Sequence, residues 1–344
     1  MLRPASLLAL APLAALALID DTPRLAYDEG SEVTRSWSVD ITRSINEATL
    51  GINGDGRDIG SDSTRSATIE IQVIDRVEGV ADGAPTLFVR SYESIDTNTE
   101  IDGLEESEGM EVRSDDGASA LAGSDVRFEY DADAEEWSRS FDEDSSGDDE
   151  WLDALDPDMD LAMILPDDEV EVGDGWEVPV AVVDALLLPG GELDVDEGGD
   201  DAPEEGAISI VVPNAGDIGR WSELDGSVDA TLSEIVDEDG RRLARIELAI
   251  DVEGEIDITD DLDEKAEARG ASETYSDATI ERTLEGKVKV DWDLEAGRFV
   301  TVEGELVGTA NLFTSSIIAT SGIELEIEVE SDEEIVVEIS ATQG

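Results

Sequence analysis

From Ile323 to Glu330 the chain reads Ile-Glu-Leu-Glu-Ile-Glu-Val-Glu, aliphatic and carboxylate side chains alternating without a break. Successive side chains of a β-strand point to opposite faces. As a strand, this run therefore has one oily face and one charged face. On a helix the same order would scatter both kinds around the whole circumference. Ser331-Asp332-Glu333 is expected to turn the chain before Ile335, Val337 and Ile339 return it. The same period marks Ala244, Ile246, Leu248, Ile250, Val252, Ile256 and Ile258, whose neighbours are mostly Arg, Asp and Glu. Asp239-Gly240 before that run is a hairpin signal, with Val228, Ala230 and Leu232 on the preceding strand. Val288, Val290 and Trp292 lead to a third turn around Gly297, and Val300, Val302 and Leu306 lead away from it. Alternation with one apolar face implies antiparallel sheet with one wet side.

The first half is patterned less cleanly. Val33, Trp37, Val39, Ile41 and Ile45 share a face, although Arg35 and Arg43 interrupt it. Ala67, Ile69, Ile71, Val73 and Val77 make another strand, and residues 86–95 a further one. Residues 126–130 and 136–141 should pair across a turn at 131–135. Gly51 to Ser63, Asp102 to Gly123 and Glu192 to Gly206 read as loops. Helix is expected only at residues 150–162 (one or two turns), 180–188, and 259–270. The last has acids early, bases late and a glycine stop. The fold class is thus mainly β: a long antiparallel meander forming a curved sheet, or two β-rich halves, with a few short helices. A boundary near Pro166 to Gly175 would divide an N-terminal half, 18–168, from a C-terminal half, 169–344.

Charge sets the surroundings. The 90 Asp and Glu outnumber 21 Lys and Arg, a formal net of −69. Such a field repels nucleic acid and anionic membranes and calls for inorganic cations as screening ions. Disorder is the usual outcome of high charge with low hydrophobicity, but 40% of these residues are hydrophobic and fall into ordered patterns. Only three of the 21 basic residues are lysine, which fits adaptation to salt or a GC-rich genome. There is no cysteine and no histidine, so disulfides, zinc–thiolate sites and histidine-dependent catalysis are excluded. The chain is read as a non-enzyme that needs no cofactor.

Met1-Leu2-Arg3-Pro4 supplies a short positive region, residues 5–16 an apolar one, and Ala15-Leu16-Ala17 a small-x-small cleavage pattern. Residues 1–17 are expected to be a signal peptide cut near Ala17, delivering the protein to the periplasm or the exterior. A buried N-terminal helix is the competing reading. No segment is long enough to span a bilayer, and without cysteine there is no acyl anchor.

Asp142, Asp144, Ser146, Asp148 and Asp153 have the spacing of a calcium loop, with Gly147 at the sixth position. Asp149 stands where an aliphatic residue is usual, and Asp153 is shorter than the usual Glu. A solvated acidic turn is the alternative, and Ca2+ the one ion these residues could hold. Asn53-Gly54-Asp55-Gly56 resembles such a loop briefly, but Arg57 takes a ligand position. Val180, Val183, Leu186 and Leu187 form an apolar helix face that would serve as a lid over the sheet, or pack on it permanently.

The turns and caps at Phe141-Asp142-Glu143-Asp144, Leu165-Pro166-Asp167-Asp168, Gly173-Asp174-Gly175-Trp176 and Leu188-Pro189-Gly190-Gly191 resemble those of an uncharacterised family of secreted, acidic, β-rich bacterial proteins. That resemblance implies export and a β-rich fold, with no activity to carry over. The architecture is also similar to periplasmic lipoprotein-carrier folds, in which a curved sheet wraps an apolar helix. The expected function is a non-catalytic binding or structural role, with an apolar ligand held in the sheet. The alternatives are a cation-binding surface or matrix protein and a carboxylate-dependent hydrolase.

Overall fold

In the computed structural model, the described residues are 21–60, 63–102, 115–142, 145–191, 193, 195–196, 220–268, 273–320 and 323–344. Ten strands carry the architecture. The N-terminal arm contains β1 (Glu32–Ile52), β3 (Ser63–Ala81), β4 (Ala84–Asp102), β6 (Asp125–Asp131) and β7 (Glu136–Phe141). The C-terminal arm contains β10 (Asp225–Glu238), β11 (Arg241–Asp257), β12 (Glu273–Asp293), β13 (Arg298–Thr320) and β14 (Ile323–Gln343). Four shorter strands are β2 (Asp55–Gly60), β5 (Asp115–Ser119), β8 (Gly175–Val178) and β9 (Val195–Asp196). All belong to one sheet of order β7-β6-β4-β3-β1-β14-β13-β12-β11-β10-β8, with β2, β5 and β9 as side branches. The two arms join where β1 pairs antiparallel with β14. The helices are short: α1 (Glu150–Asp153), α2 (Val182–Leu187) and α3 (Thr259–Ala268).

Three hairpins use two-residue turns in which both residues have positive φ: Asn53-Gly54, Asp82-Gly83 and Asp239-Gly240. That geometry matches the twist of the flanking strands, and Asn-Gly or Asp-Gly reaches it at least cost. The first turn corrects an expectation, because residues 55–60 form β2 against β1 instead of a loop. The Asn53 side chain also accepts from the Glu326 N–H. A second correction concerns Ser331-Asp332-Glu333, which does not turn the chain. These residues pair with β1 on one side and β13 on the other, inside one unbroken strand. No residue with positive φ interrupts them, and odd-numbered positions face inward before and after.

The inward face is mostly apolar, with Arg35, Asp75, Arg90, Arg282 and Glu333 as buried charged exceptions. Val33, Trp37, Val39, Ile246, Leu248, Val290, Trp292 and Ile339 lie in one buried cluster. The described residues 145–174, between β7 and β8 at the two ends of the sheet, lie over that face. They contribute Leu152, Leu155, Met159, Leu161 and Ile164 to the same cluster. Curvature follows from the chain's reach. Arg90 on β4 donates to the Asp156 and Pro157 carbonyls, while Trp176 on β8 donates to the Ile164 carbonyl. In strand order β4 and β8 are eight steps apart, ~38 Å in a flat sheet at ~4.8 Å per strand. Residues 156 to 164 span at most ~28 Å, and the rim sets a tighter limit. Neighbours Ala26 and Tyr27 bond Gly297 and Gly83, in turns four strand steps apart, ~19 Å in a flat sheet, so the sheet curves to bring them together. The N-terminal segment closes one rim, where Tyr27 N–H donates to Gly83 and Ala26 N–H to Gly297, turns of opposite arms.

A buried arginine–aspartate clasp as candidate functional site

Arg35 breaks the apolar alternation of β1, yet it is 1% exposed. An isolated buried charge costs far more than a fold can carry, so partners are required. Its guanidinium meets Asp75 of β3 at 2.6 Å and Asp160 of the crossover at 2.6 Å. Arg90, also fully buried, forks onto both Asp75 oxygens at 2.9 Å. Nη1 donates to the Asp156 carbonyl, Nη2 donates to the Pro157 carbonyl as well as to Asp75, and the guanidinium lies over the Phe88 and Phe128 rings at 5.3 and 5.1 Å. Asp160 also accepts from the Tyr27 hydroxyl at 2.6 Å and from the Gln343 amide at 3.1 Å. The clasp thus draws on β1, β3, β4, β14, the N-terminal segment and the crossover.

Burial alone would raise the Asp75 carboxyl, but Arg90 and Arg35 hold it below its ordinary value. Burial pushes the Tyr27 hydroxyl up, and Asp160 adds to the effect, so the phenol stays neutral. Asp158, two residues before Asp160, goes the other way. Burial first, then the charges of Asp160 and Asp156, push its carboxyl up to about 6. Asp158 accepts from the Asp160 and Ala162 N–H groups, where the chain enters the 3-10 turn Ala162–Ile164. The Tyr27, Arg35 and Gln343 donors all converge on Asp160 Oδ1.

The calcium-loop residues lie elsewhere. Asp142 faces Arg127 at 3.7 Å. Ser146, Asp148 and Asp153 are exposed, and Asp144 lies outside the described residues. The loop is filled by aromatic rings: Phe141 and Trp151 meet edge to face, and a Cβ on Gly147 would sit 2.4 Å from the first. Among the described residues no three carboxylates converge as a metal site requires. Val183, Leu186 and Leu187 of the lid are fully buried and Val180 partly so, in the common core. Residues 1–17 lie outside the described residues.

The outward face is the opposite case. Glu255, Glu281, Asn311, Asp332 and Glu47 stand in one row across β11, β12, β13, β14 and β1. All five are exposed, and they border a groove of about 430 Å³ with Phe313 in its wall. Glu255 faces Glu281 and Asp332 faces Glu47, like-charge pairs that are destabilising, while Asn311 separates the two pairs.

No family model matches the chain, and no curated protein sequence matches it. Two solved structures are similar at low levels. The outer membrane protein OprG from Pseudomonas aeruginosa is 8% identical, with 92% of this chain and 97% of that chain covered and a TM-score of 0.22. An outer membrane channel from Pseudomonas putida F1 is 11% identical, with 94% and 98% covered and a TM-score of 0.25. Likeness at this level carries no argument about fold or function. Among the described residues no helix is long and apolar enough to cross a membrane.

Proposed function

We propose that this is an exported, non-catalytic binding protein of the periplasm or exterior, whose wrapped sheet holds an apolar ligand or segment beneath its crossover. One observation carries this reading. The cover over the apolar face is held to the N-terminal arm by side-chain bonds from Arg35 and Arg90 instead of by strand pairing. Such a cover separates from the sheet without breaking a ladder. The likeness to secreted acidic proteins and to lipoprotein-carrier folds, together with the signal-like N-terminus, supports export. The fluorescent apolar probe N-phenyl-1-naphthylamine tests the reading in salt. Saturable binding that tightens in Arg90→Lys, which loses the fork onto Asp75, is expected. Absence of saturable binding in both proteins would refute it.

A second reading is favoured by the row of carboxylates at Glu255, Glu281, Asp332 and Glu47: a surface or matrix protein that recruits cations. Calcium calorimetry separates the two. A tight stoichiometric event supports recruitment, and weak heats abolished by salt leave only screening.

A further inference from the structure

The crossover presents three aspartates at alternate positions, and the sheet answers with two arginines. Asp160 is held by Arg35, Tyr27 and Gln343. The Asp156 side chain accepts from the Asp158 N–H, while its carbonyl takes Arg90. Asp158 receives two backbone N–H groups, and neither clasp arginine donates to it. Around this point Asp75, Asp156, Asp158 and Asp160 stand against Arg35 and Arg90, four carboxyls to two guanidiniums, with neutral Tyr27 and Gln343 beside them. The turn at Gly190 and Gly191, which pairs with Leu155 and Asp156, brings no charge of its own.

We propose that residues 156–165 are a strap that tightens when Asp158 binds a proton and loosens when it ionises, so that the cover yields more readily at neutral than at mildly acidic pH. Among the described residues, neither Asp156 nor Asp158 has a cation on its carboxylate; protonation of Asp158, which lies between Asp156 and Asp160 and holds two N–H groups of the strap, removes the middle charge of the three. The sign follows from linkage: a carboxyl raised in the folded state adds stability at low pH and loses it as pH climbs through about 6. The strap is the part that feels this, because both N–H groups bound by Asp158 belong to it. The proposal stands whether or not a ligand enters.

Hydrogen exchange of the full chain in high salt tests it, read at the Ile164 and Leu165 amides and the Trp176 indole, which bond within the strap or to it. After correction for intrinsic rates, protection should fall about tenfold or more between about pH 5 and about pH 7.5, with amides of β13 and β14 unchanged. Asp158→Asn should abolish that dependence. Protection that is flat with pH, or an equal dependence in the variant, would overturn the proposal. Should Asp158→Asn fail to fold, Asp156→Asn, which removes a neighbouring charge, should lower the midpoint, and an unmoved midpoint would overturn it equally.

Discussion

The two faces of one sheet treat carboxylates in opposite ways. Inside, Asp75 and Asp160 are each met by an arginine at hydrogen-bond distance. Outside, Glu255, Glu281, Asp332 and Glu47 cross five strands with an asparagine as their only break. Water explains the difference. A buried carboxylate without a partner costs several kcal/mol, whereas an exposed one is solvated and its repulsions are weak and screened. A chain with few basic residues places Arg35 and Arg90 where two buried carboxylates need them, while outer-face pairs such as Arg245 with Glu234, Glu238 and Asp291 meet only a few of the exposed acids. The lesson is that net charge describes this protein's surface and says little about its core.

The largest expected effect comes from breaking the inner pairing. Arg35→Met should cost about 3–5 kcal/mol in denaturant titration, because it strands Asp160 and half of Asp75's support. A loss below about 1 kcal/mol would mean that water reaches the clasp. Acid titration of the native protein sharpens the comparison next. Asp75, held low, contributes stability above its unfolded value that is lost as pH falls. Asp158, held high, contributes stability that is lost as pH rises through about 6. The melting temperature should therefore peak between about pH 4 and pH 6, and a monotonic rise towards neutral pH would remove Asp158 from the account. The smallest effect belongs to the outer row. Asp332→Asn should stabilise by a few tenths of a kcal/mol in dilute buffer and by nothing in about 2 M salt.

Much of the fold was legible because period-two alternation leaves little choice. The inward aliphatics of β11 and β14, the Asp239-Gly240 turn and the helix at α3 stand where their residues indicate. Strands β5 and β9 fall inside 102–123 and 192–206, which read as loops, and two further local errors have plain physical causes. Asn53-Gly54 is a strong hairpin dipeptide, but its acidic, glycine-rich surroundings read as a loop. Ser331-Asp332-Glu333 read as a turn because polar residues cluster there, yet pairing on both sides decides the matter. The clasp was half visible. Arg35 among inward aliphatics signals a buried cation needing an anion, but Asp160 lies 125 positions away. Nothing in the sequence singles it out from the other acids. Asp156, Asp158 and Asp160 at alternate positions were the available hint.

Salt dependence measured side by side on the native chain, Arg35→Met and Asp332→Asn tests the division between paired interior and screened exterior most directly. The account predicts that the native protein melts higher as salt is added, that the Arg35→Met deficit stays constant, and that the Asp332→Asn gain vanishes. A deficit in Arg35→Met that salt erases would contradict it, since that arginine would then be acting at a surface.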